Sequence, residues 1–360
     1  MTRALPPSGK KLDAQVEKLR KSAILIDTHN DIPSFTVSGA DIKNAPKNHT
    51  DIPRLRQGGV GAVFFSVYVA ATYVEGNHSA NRALQMIDSV QHDIIDRYPS
   101  DFLQAFTAAD IERAHRKGKI AALMGMEGGH AIEDSPRLLR DYYRLGVRYM
   151  TLTHWNTNSW ADSSGDISND KIQHHNGLTP LGKDIVREMN RLGMMIDISH
   201  VADKTFYDAL ETSQAPIIAS HSACRAVTNA PRNMTDDMIR ALAKKDGVIQ
   251  ININCGFVSQ KAADAPKDAP VRAALDDVVA HIDHVRQLVG IDTIGIGTDF
   301  DGITCTPAGL DDVSKFPNLT RALLQKGYSS NDIRKIYGKN TLRVMRAVEK
   351  VSKQMKAASH

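Results

Sequence analysis

Three features of the sequence predict an α/β fold, a (β/α)₈ TIM barrel with extra C-terminal helices. Eight short apolar, β-branched runs recur along the chain. Stretches with apolar residues at helical spacing separate most of them. The runs are also near-continuously apolar rather than alternating, as in parallel strands covered on both faces. Eight such units favour a closed barrel over an open doubly wound sheet. No Gly-rich dinucleotide turn follows the first run, which weakens the open alternative further.

The runs are "AILIDTH" (23–29), "GAVFFSVYV" (61–69), "IAALMGMEG" (120–128), "RYMTLTH" (148–154), "MMIDISH" (194–200), "PIIASHS" (216–222), "GVIQINI" (247–253) and "IGIGTDF" (294–300). Helices are expected over stretches that include 80–97, 180–192, 203–212, 235–245 and 275–289. Thr179 before Pro180, and Thr235 before two aspartates, read as N-caps. After residue 318 two or three more helices should pack on the outside of the barrel. No linker or low-complexity segment interrupts the pattern, and the Ala/Pro/Asp-rich stretch 261–270 reads as a surface loop. The expectation is one domain over 1–360, with the barrel core at about 23–318 and carboxyl-terminal helices over 319–352.

Composition narrows the function classes. With 42% hydrophobic and 24% charged residues, the chain can bury an ordinary globular core. The net charge of +4 is spread along the chain with no basic block, which argues against nucleic acid as a partner. Cys224, Cys255 and Cys305 lie far apart with no Cys-x-x-Cys. That odd, sparse set argues against a disulfide framework and a thiolate zinc site, leaving buried apolar packing as their expected role. No run approaches the roughly 18 apolar residues of a membrane span. The first 23 residues have no apolar core, so as written they are no secretory signal. The chain reads as soluble, cytoplasmic as written, and periplasmic or secreted if a signal has been removed.

The polar residues fall at the ends of the runs. The first ends in His29-x-Asp31, the third in Glu127, the fourth in His154, the fifth in His200, the sixth in His221, and the eighth in Asp299 and Asp301. His29 and Asp31 share a strand face because residues i and i+2 do. In a barrel all these ends lie on one rim, where barrel enzymes carry their catalytic groups. Imidazole and carboxylate without thiolate suit zinc or a similar first-row divalent ion in a catalytic site. His29, Asp31, His200 and His221 supply four terminal ligands, and Glu127 is placed to bridge two ions. Two ions about 3.5–4 Å apart can hold a bridging hydroxide and polarise a carbonyl.

Six segments, in this order, carry a resemblance: "DTHNDIP", "MEGGHAI", "RYMTLTHWNTNSWADS", "GLTPLGKDIVREMNRLGMMIDISHV", "PIIASHSACRAVTNAPRNMTDD" and "IGIGTDFDG". The chain resembles the membrane (renal) dipeptidase family, binuclear-zinc barrel hydrolases of the amidohydrolase-like group. The resemblance runs from about residue 24 to 302. It implies two Zn²⁺ ions, with His29 and Asp31 on one, His200 and His221 on the other, and Glu127 between them. His154 then matches the histidine that holds the scissile carbonyl oxygen. Arg232, in "APRNM", matches the arginine that engages the substrate's terminal carboxylate, and Asp299 the acid/base. The implied activity is hydrolysis of dipeptides, with tolerance for a D-residue at the carboxyl-terminal position. The alternative is another metal-dependent amide hydrolase on the same site, of the N-acyl amino-acid or β-lactam type. A homodimer is a further expectation, since relatives often pair. The segment "INCGFVS" departs from the tyrosine-rich loop of some members, which leaves side-chain preference open.

Other conspicuous residues have plainer readings. Asp301 reads as shaping the "DFDG" turn, and His130 as structural or as support for the ligands. His174 and His175 read as solvated, Asp197 as one half of a buried polar pair with Ser199. Trp155 and Trp160 are expected to pack a long loop over the site.

Overall fold

The computed structural model describes residues 9–358. Nine parallel strands form its sheet: β1 Leu25–Asn30, β2 Val60–Tyr68, β3 Phe102–Gln104, β4 Ile120–Glu127, β5 Val147–Thr151, β6 Met195–Asp197, β7 Ile218–Ser222, β8 Val248–Ile251 and β9 Ile294–Ile296. Eight follow one another around the sheet in the order β1-β2-β4-β5-β6-β7-β8-β9, and all eight coincide with the predicted runs. The ninth, β3, pairs only with the first residues of β4, which β5 leaves uncovered. Three residues are too few to show a period, so the sequence pattern does not reveal it.

The ring closes where β9 meets β1. Asn30 bridges to Phe300, Asp31 N–H donates to the Phe300 carbonyl (2.8 Å), and Asp299 N–H donates to the His29 carbonyl (3.0 Å). Beneath them the fully buried Asp27 carboxylate accepts from Thr298 N–H (2.9 Å) and Thr298 Oγ1 (2.7 Å). Burial pushes Asp27 up to about 6, although the four groups that donate to it work the other way.

The expected helices form. Thr179 Oγ1 accepts from Gly182 N–H and starts Pro180–Leu192, and Thr235 accepts from Met238 N–H and starts Asp236–Lys244. Apolar residues at the beginnings of the strands, among them Ile26, Phe64, Leu123 and Val248, form one cluster with Leu342, Met345 and Val348. The helix Asn340–Ala358 therefore covers the end of the barrel where the strands begin, not only its outer wall. The helix Gly9–Ser22 buries Leu12, Val16 and Leu19 in the main core. With one end sealed, the strands' carboxyl-terminal ends are left as the open mouth. Among the described residues no helix is long and apolar enough to cross a membrane.

Candidate metal centre and active site

Strand geometry brings the predicted residues together. His29 and Asp31 leave β1 on the same side, with Nε2 and Oδ2 3.3 Å apart. Glu127, the last residue of β4, turns one oxygen to each half of the mouth. Its Oε2 lies 3.4 Å from His29 Nε2, while Oε1 lies 3.0 Å from His200 Nε2 and 3.3 Å from His221 Nε2. His200 and His221 bring their Nε2 atoms to 3.0 Å, and the His29 and His221 rings stack at 3.8 Å. His154 Nε2 stands back at 3.9 Å from Glu127 Oε1. Three overlapping triads have ligand atoms close enough to share a cation: His29/Asp31/Glu127, Glu127/His154/His200 and His29/His221/Asp299. The shortest distances favour dividing the set at Glu127, because His154 is farther from Oε1 than either His200 or His221 is.

The backbone is bent to make this convergence. His200, Asp299 and Asp301 have φ of 69°, 65° and 69°, left-handed values that a side chain disfavours by about 1 kcal/mol or more each. Each lies just past a strand, where the turn redirects the chain into the mouth. Next to them, a Cβ on Gly302 would fall 2.4 Å from Asp31 Oδ2 and 2.6 Å from Asp299 Oδ1. Only glycine lets the backbone pass so close to both carboxylates.

Burial decides the charges. It holds His200 and His221 well below the usual imidazole range, despite their contacts with Glu127, so these contacts join neutral rings to a carboxylate. Burial also opposes charge on His29, but the facing Tyr149, Glu127 and Asp31 outweigh it and raise that group. Against the cost of burial, Glu127 is held well below the carboxylate range by the facing His29 and His154 and by its contacts with His200 and His221. Asp299 is pushed up to about 7, by burial first and then by Asp31 and Glu127. Arg232 is lowered to about 10 by burial. Its guanidinium donates to the His221 carbonyl (2.9 Å) and Ser222 Oγ (3.2 Å) and lies 5.6 Å from the Phe257 ring. Among the described residues its Nε is buried without a partner, and no carboxylate pairs with it.

Several contributors escape sequence reasoning. Tyr149, read only as part of an apolar run, puts its hydroxyl 2.7 Å from His29 Nδ1. Ser220 Oγ lies 2.7 Å from His221 Nδ1. The two strands assigned no polar end also take part: Ser66 on β2 approaches Glu127 Oε2 (3.4 Å), and Asn252 after β8 donates to Asp299 Oδ2 (2.9 Å). The signal for Asn252 was present, since it too is a polar residue at a strand end. Asp197 does pair with Ser199, through Ser199 N–H (3.0 Å), and also takes Thr151 and Ser220. His130 Nε2–H donates to the Val69 carbonyl (2.9 Å), which fits a structural role. Asp301 accepts from His49 N–H (2.7 Å), which fits a turn-shaping role. His175 is not simply solvated, because its Nε2 meets the Asn158 carbonyl (2.9 Å) inside the long loop after β5. Of the two tryptophans, Trp160 is fully buried, whereas Trp155 is 47% exposed and stands edge-on to His200 at 5.2 Å.

The mouth opens into a cavity of about 320 Å³ whose wall includes Glu127, His154, Trp155, His200, Phe257 and Asp299. A larger one, about 650 Å³, lies beside Ala202 and Arg225. Its two basic side chains are already paired, Arg225 with Asp203 and Lys204 with Asp208, whereas the smaller cavity is lined by the reactive cluster. One expectation fails here. Cys255 and Cys305 are joined by a disulfide, with Cα atoms 5.5 Å apart, and are not separate buried residues. Fifty positions of sequence hide that β8 and β9 are neighbours whose following loops run together on the rim. Cys224 is buried and free, as expected.

Comparison with known proteins agrees with this geometry. The chain is 42% identical over 355 residues to dipeptidase verJ of Clonostachys rogersoniana, covering 94% of this chain and 88% of that one. It is 41% identical over 315 residues to dipeptidase tcpJ of Claviceps purpurea (strain 20.1), covering 86% and 71%. A Rhodobacter sphaeroides metallo peptidase, solved with a phosphinate mimic of the dipeptide L-Ala-D-Ala, superposes with a TM-score of 0.79 at 25% identity, covering 91% of this chain and all of that one. The family described as membrane dipeptidase, peptidase family M19, matches residues 13–359. Convergent histidines and carboxylates on a barrel rim, together with these matches, mean that the chain belongs to the membrane dipeptidase family and is a metallopeptidase that hydrolyses dipeptides.

Proposed function

We propose that this dipeptidase works with two divalent ions, zinc by donor type, held around Glu127. His29 and Asp31 would hold one, His200 and His221 the other, with Glu127 shared between the two halves. The observation that carries the reading is the division of Glu127, with Oε2 toward His29 and Oε1 toward His200 and His221. The donors fit such ions. Among the described residues, His29 Nε2 and Asp31 Oδ2 are buried without hydrogen-bond partners, which is costly unless a cation satisfies them. Imidazole and carboxylate without thiolate is also the catalytic-zinc set, although other first-row ions suit it. When bound, the ions supply a Lewis acid for the scissile carbonyl and make an attacking water acidic enough to react near neutral pH.

The chain's own residues do the rest. Arg232, a buried cation with no carboxylate partner among the described residues, takes the substrate's terminal carboxylate; a longer peptide would offer an amide there. That clamp sets the distance from the substrate's end to the bond that breaks. His154, kept neutral by burial, donates one proton in a hydrogen bond to the carbonyl oxygen. Charge on that oxygen is greatest in the transition state, so the contact raises the rate. Asp299, steadied by Asn252, accepts the proton of the attacking water and returns it to the departing amine nitrogen.

The proposal includes acceptance of a D-residue at the carboxyl-terminal position, supported by the L-Ala-D-Ala mimic in the Rhodobacter structure. It also includes a homodimer, which sedimentation of the zinc-loaded protein tests. For the activity, amino-acid release is measured from L,L- and L,D-dipeptides, a tripeptide and N-acetylated amino acids, beside a chelator control. Chelator-sensitive cleavage confined to free dipeptides is expected. Cleavage of N-acyl substrates alone would transfer the function to that class, and no cleavage with zinc bound would refute the substrate assignment.

A further inference from the structure

We infer that Tyr149 and Ser220 are positioning residues, each fixing one histidine of the centre in the tautomer that turns its Nε2 lone pair to a cation. The inference rests on the two-ion reading above and deepens it, assigning one hydroxyl to each half.

Each of the two hydroxyls has one proton to give. Tyr149 has a single O–H proton, which it donates to the Thr28 carbonyl at 2.9 Å. Its oxygen, 2.7 Å from His29 Nδ1, can then only accept, so Nδ1 keeps its hydrogen. His29 Nε2, facing Asp31 and Glu127, is the nitrogen left to bind. Ser220 repeats the device on the other side. Its Oγ donates to Asp197 Oδ2 (2.6 Å) and accepts from His221 Nδ1 (2.7 Å). Asp197 is itself held by Thr151 Oγ1 (2.5 Å), Ser199 N–H (3.0 Å) and Ser220 N–H (2.7 Å), so the acceptor at the end of this chain cannot turn away. His200 has no such partner among the described residues, because its Nδ1 is buried and unpaired. The protein thus orients one histidine in each half and leaves the third to the ion.

The site is built to admit the phenol. Tyr149 is fully buried against Phe64, with ring centroids 5.4 Å apart, and a Cβ on Gly125 would fall 1.9 Å from its ring. Phenylalanine would fill that space equally well, so the hydroxyl is what the packing leaves unexplained. Both of its contacts are to β1, the strand that carries His29 and Asp31. Partners of this kind set ligand orientation, and their loss commonly weakens metal affinity about 10- to 100-fold.

The test is zinc titration of metal-depleted full-length protein against a chromophoric chelator, comparing wild type, Tyr149→Phe and Ser220→Ala. Each variant is also combined with Asp31→Asn, which removes the half that Tyr149 serves. Tyr149→Phe is expected to weaken one of two sites about 10- to 100-fold and spare the other. In the Asp31→Asn background only the other half remains, so Tyr149→Phe has no further effect there while Ser220→Ala still weakens it. In zinc-loaded wild type, two imidazole N–H protons should exchange slowly with solvent, and each variant should lose the protection of one. Tyr149→Phe within about threefold of wild type at both sites, or both sites weakened alike, overturns the inference. Wild type binding fewer than two ions overturns the two-ion reading and this inference with it, and that outcome is visible before any variant is compared.

Discussion

Replacing Arg232 with alanine tests the proposed clamp on the substrate's terminal carboxylate. The guanidinium is buried, is anchored by the His221 carbonyl and Ser222 Oγ, and has no carboxylate partner among the described residues. A substrate carboxylate bound there gains two charge-assisted hydrogen bonds of about 1.5–3 kcal/mol each. Losing the pair costs roughly 3–5 kcal/mol of transition-state binding, in the range seen when one partner of a buried charged pair is truncated. At about 1.4 kcal/mol per decade, kcat/KM for a dipeptide should fall roughly 100- to 5,000-fold. The assay compares a dipeptide with its carboxyl-terminal amide, alongside zinc content. Wild type should prefer the acid strongly, and Arg232→Ala should erase the preference while keeping its metal. Equal losses on acid and amide, or a matching loss of zinc, would refute the clamp.

Three further outcomes follow from the geometry. Gly302→Ala puts a methyl group 2.4 Å from Asp31 Oδ2 and 2.6 Å from Asp299 Oδ1, so kcat should drop about a hundredfold or more, with far-ultraviolet circular dichroism unchanged. Asp299 must be unprotonated to accept a proton, so kcat/KM should rise with pH. Burial, Asp31 and Glu127 hold the group at about 7, bound cations act in the opposite direction, and the acid limb should therefore lie below about 7 and be absent from the residual activity of Asp299→Asn. Cys305→Ser opens a loop of 50 residues; the chain-entropy estimate of about 4 kcal/mol corresponds to a melting temperature lower by roughly 5 °C, read by calorimetry.

Much of this was legible because strand ends carry both fold and chemistry. The run ending in His29-Asn30-Asp31 gives the strand by its apolar residues and the site by its polar ones, and the period of two already places both side chains together. Glu127, His200 and His221 were readable for the same reason. What stayed hidden depends on contacts between elements. Tyr149 sits inside an apolar run, and nothing in "RYMTLTH" says that its hydroxyl reaches β1. Ser220 lies in "PIIASHS" as an unremarkable neighbour of His221, and its importance appears only once Asp197 comes alongside. Cys255 and Cys305 are isolated in sequence and meet only because β8 and β9 pair. Arg232 required family resemblance, since it lies in a loop rather than at a strand end.

The seam between β1 and β9 links catalytic competence to closure of the ring. Asp27 and Thr298 are separated by 271 positions, and the pairing that joins them also brings His29 and Asp31 against Asp299. Closing a loop of that length costs on the order of 5 kcal/mol in chain entropy. Contacts so distant in sequence form slowly and add little until their neighbours are in place. A nascent chain can therefore complete β1 through β8 and still lack a working centre. Ions that bind only the closed ring would favour it by mass action, so metal supply would act on the yield of folded enzyme as well as on its turnover.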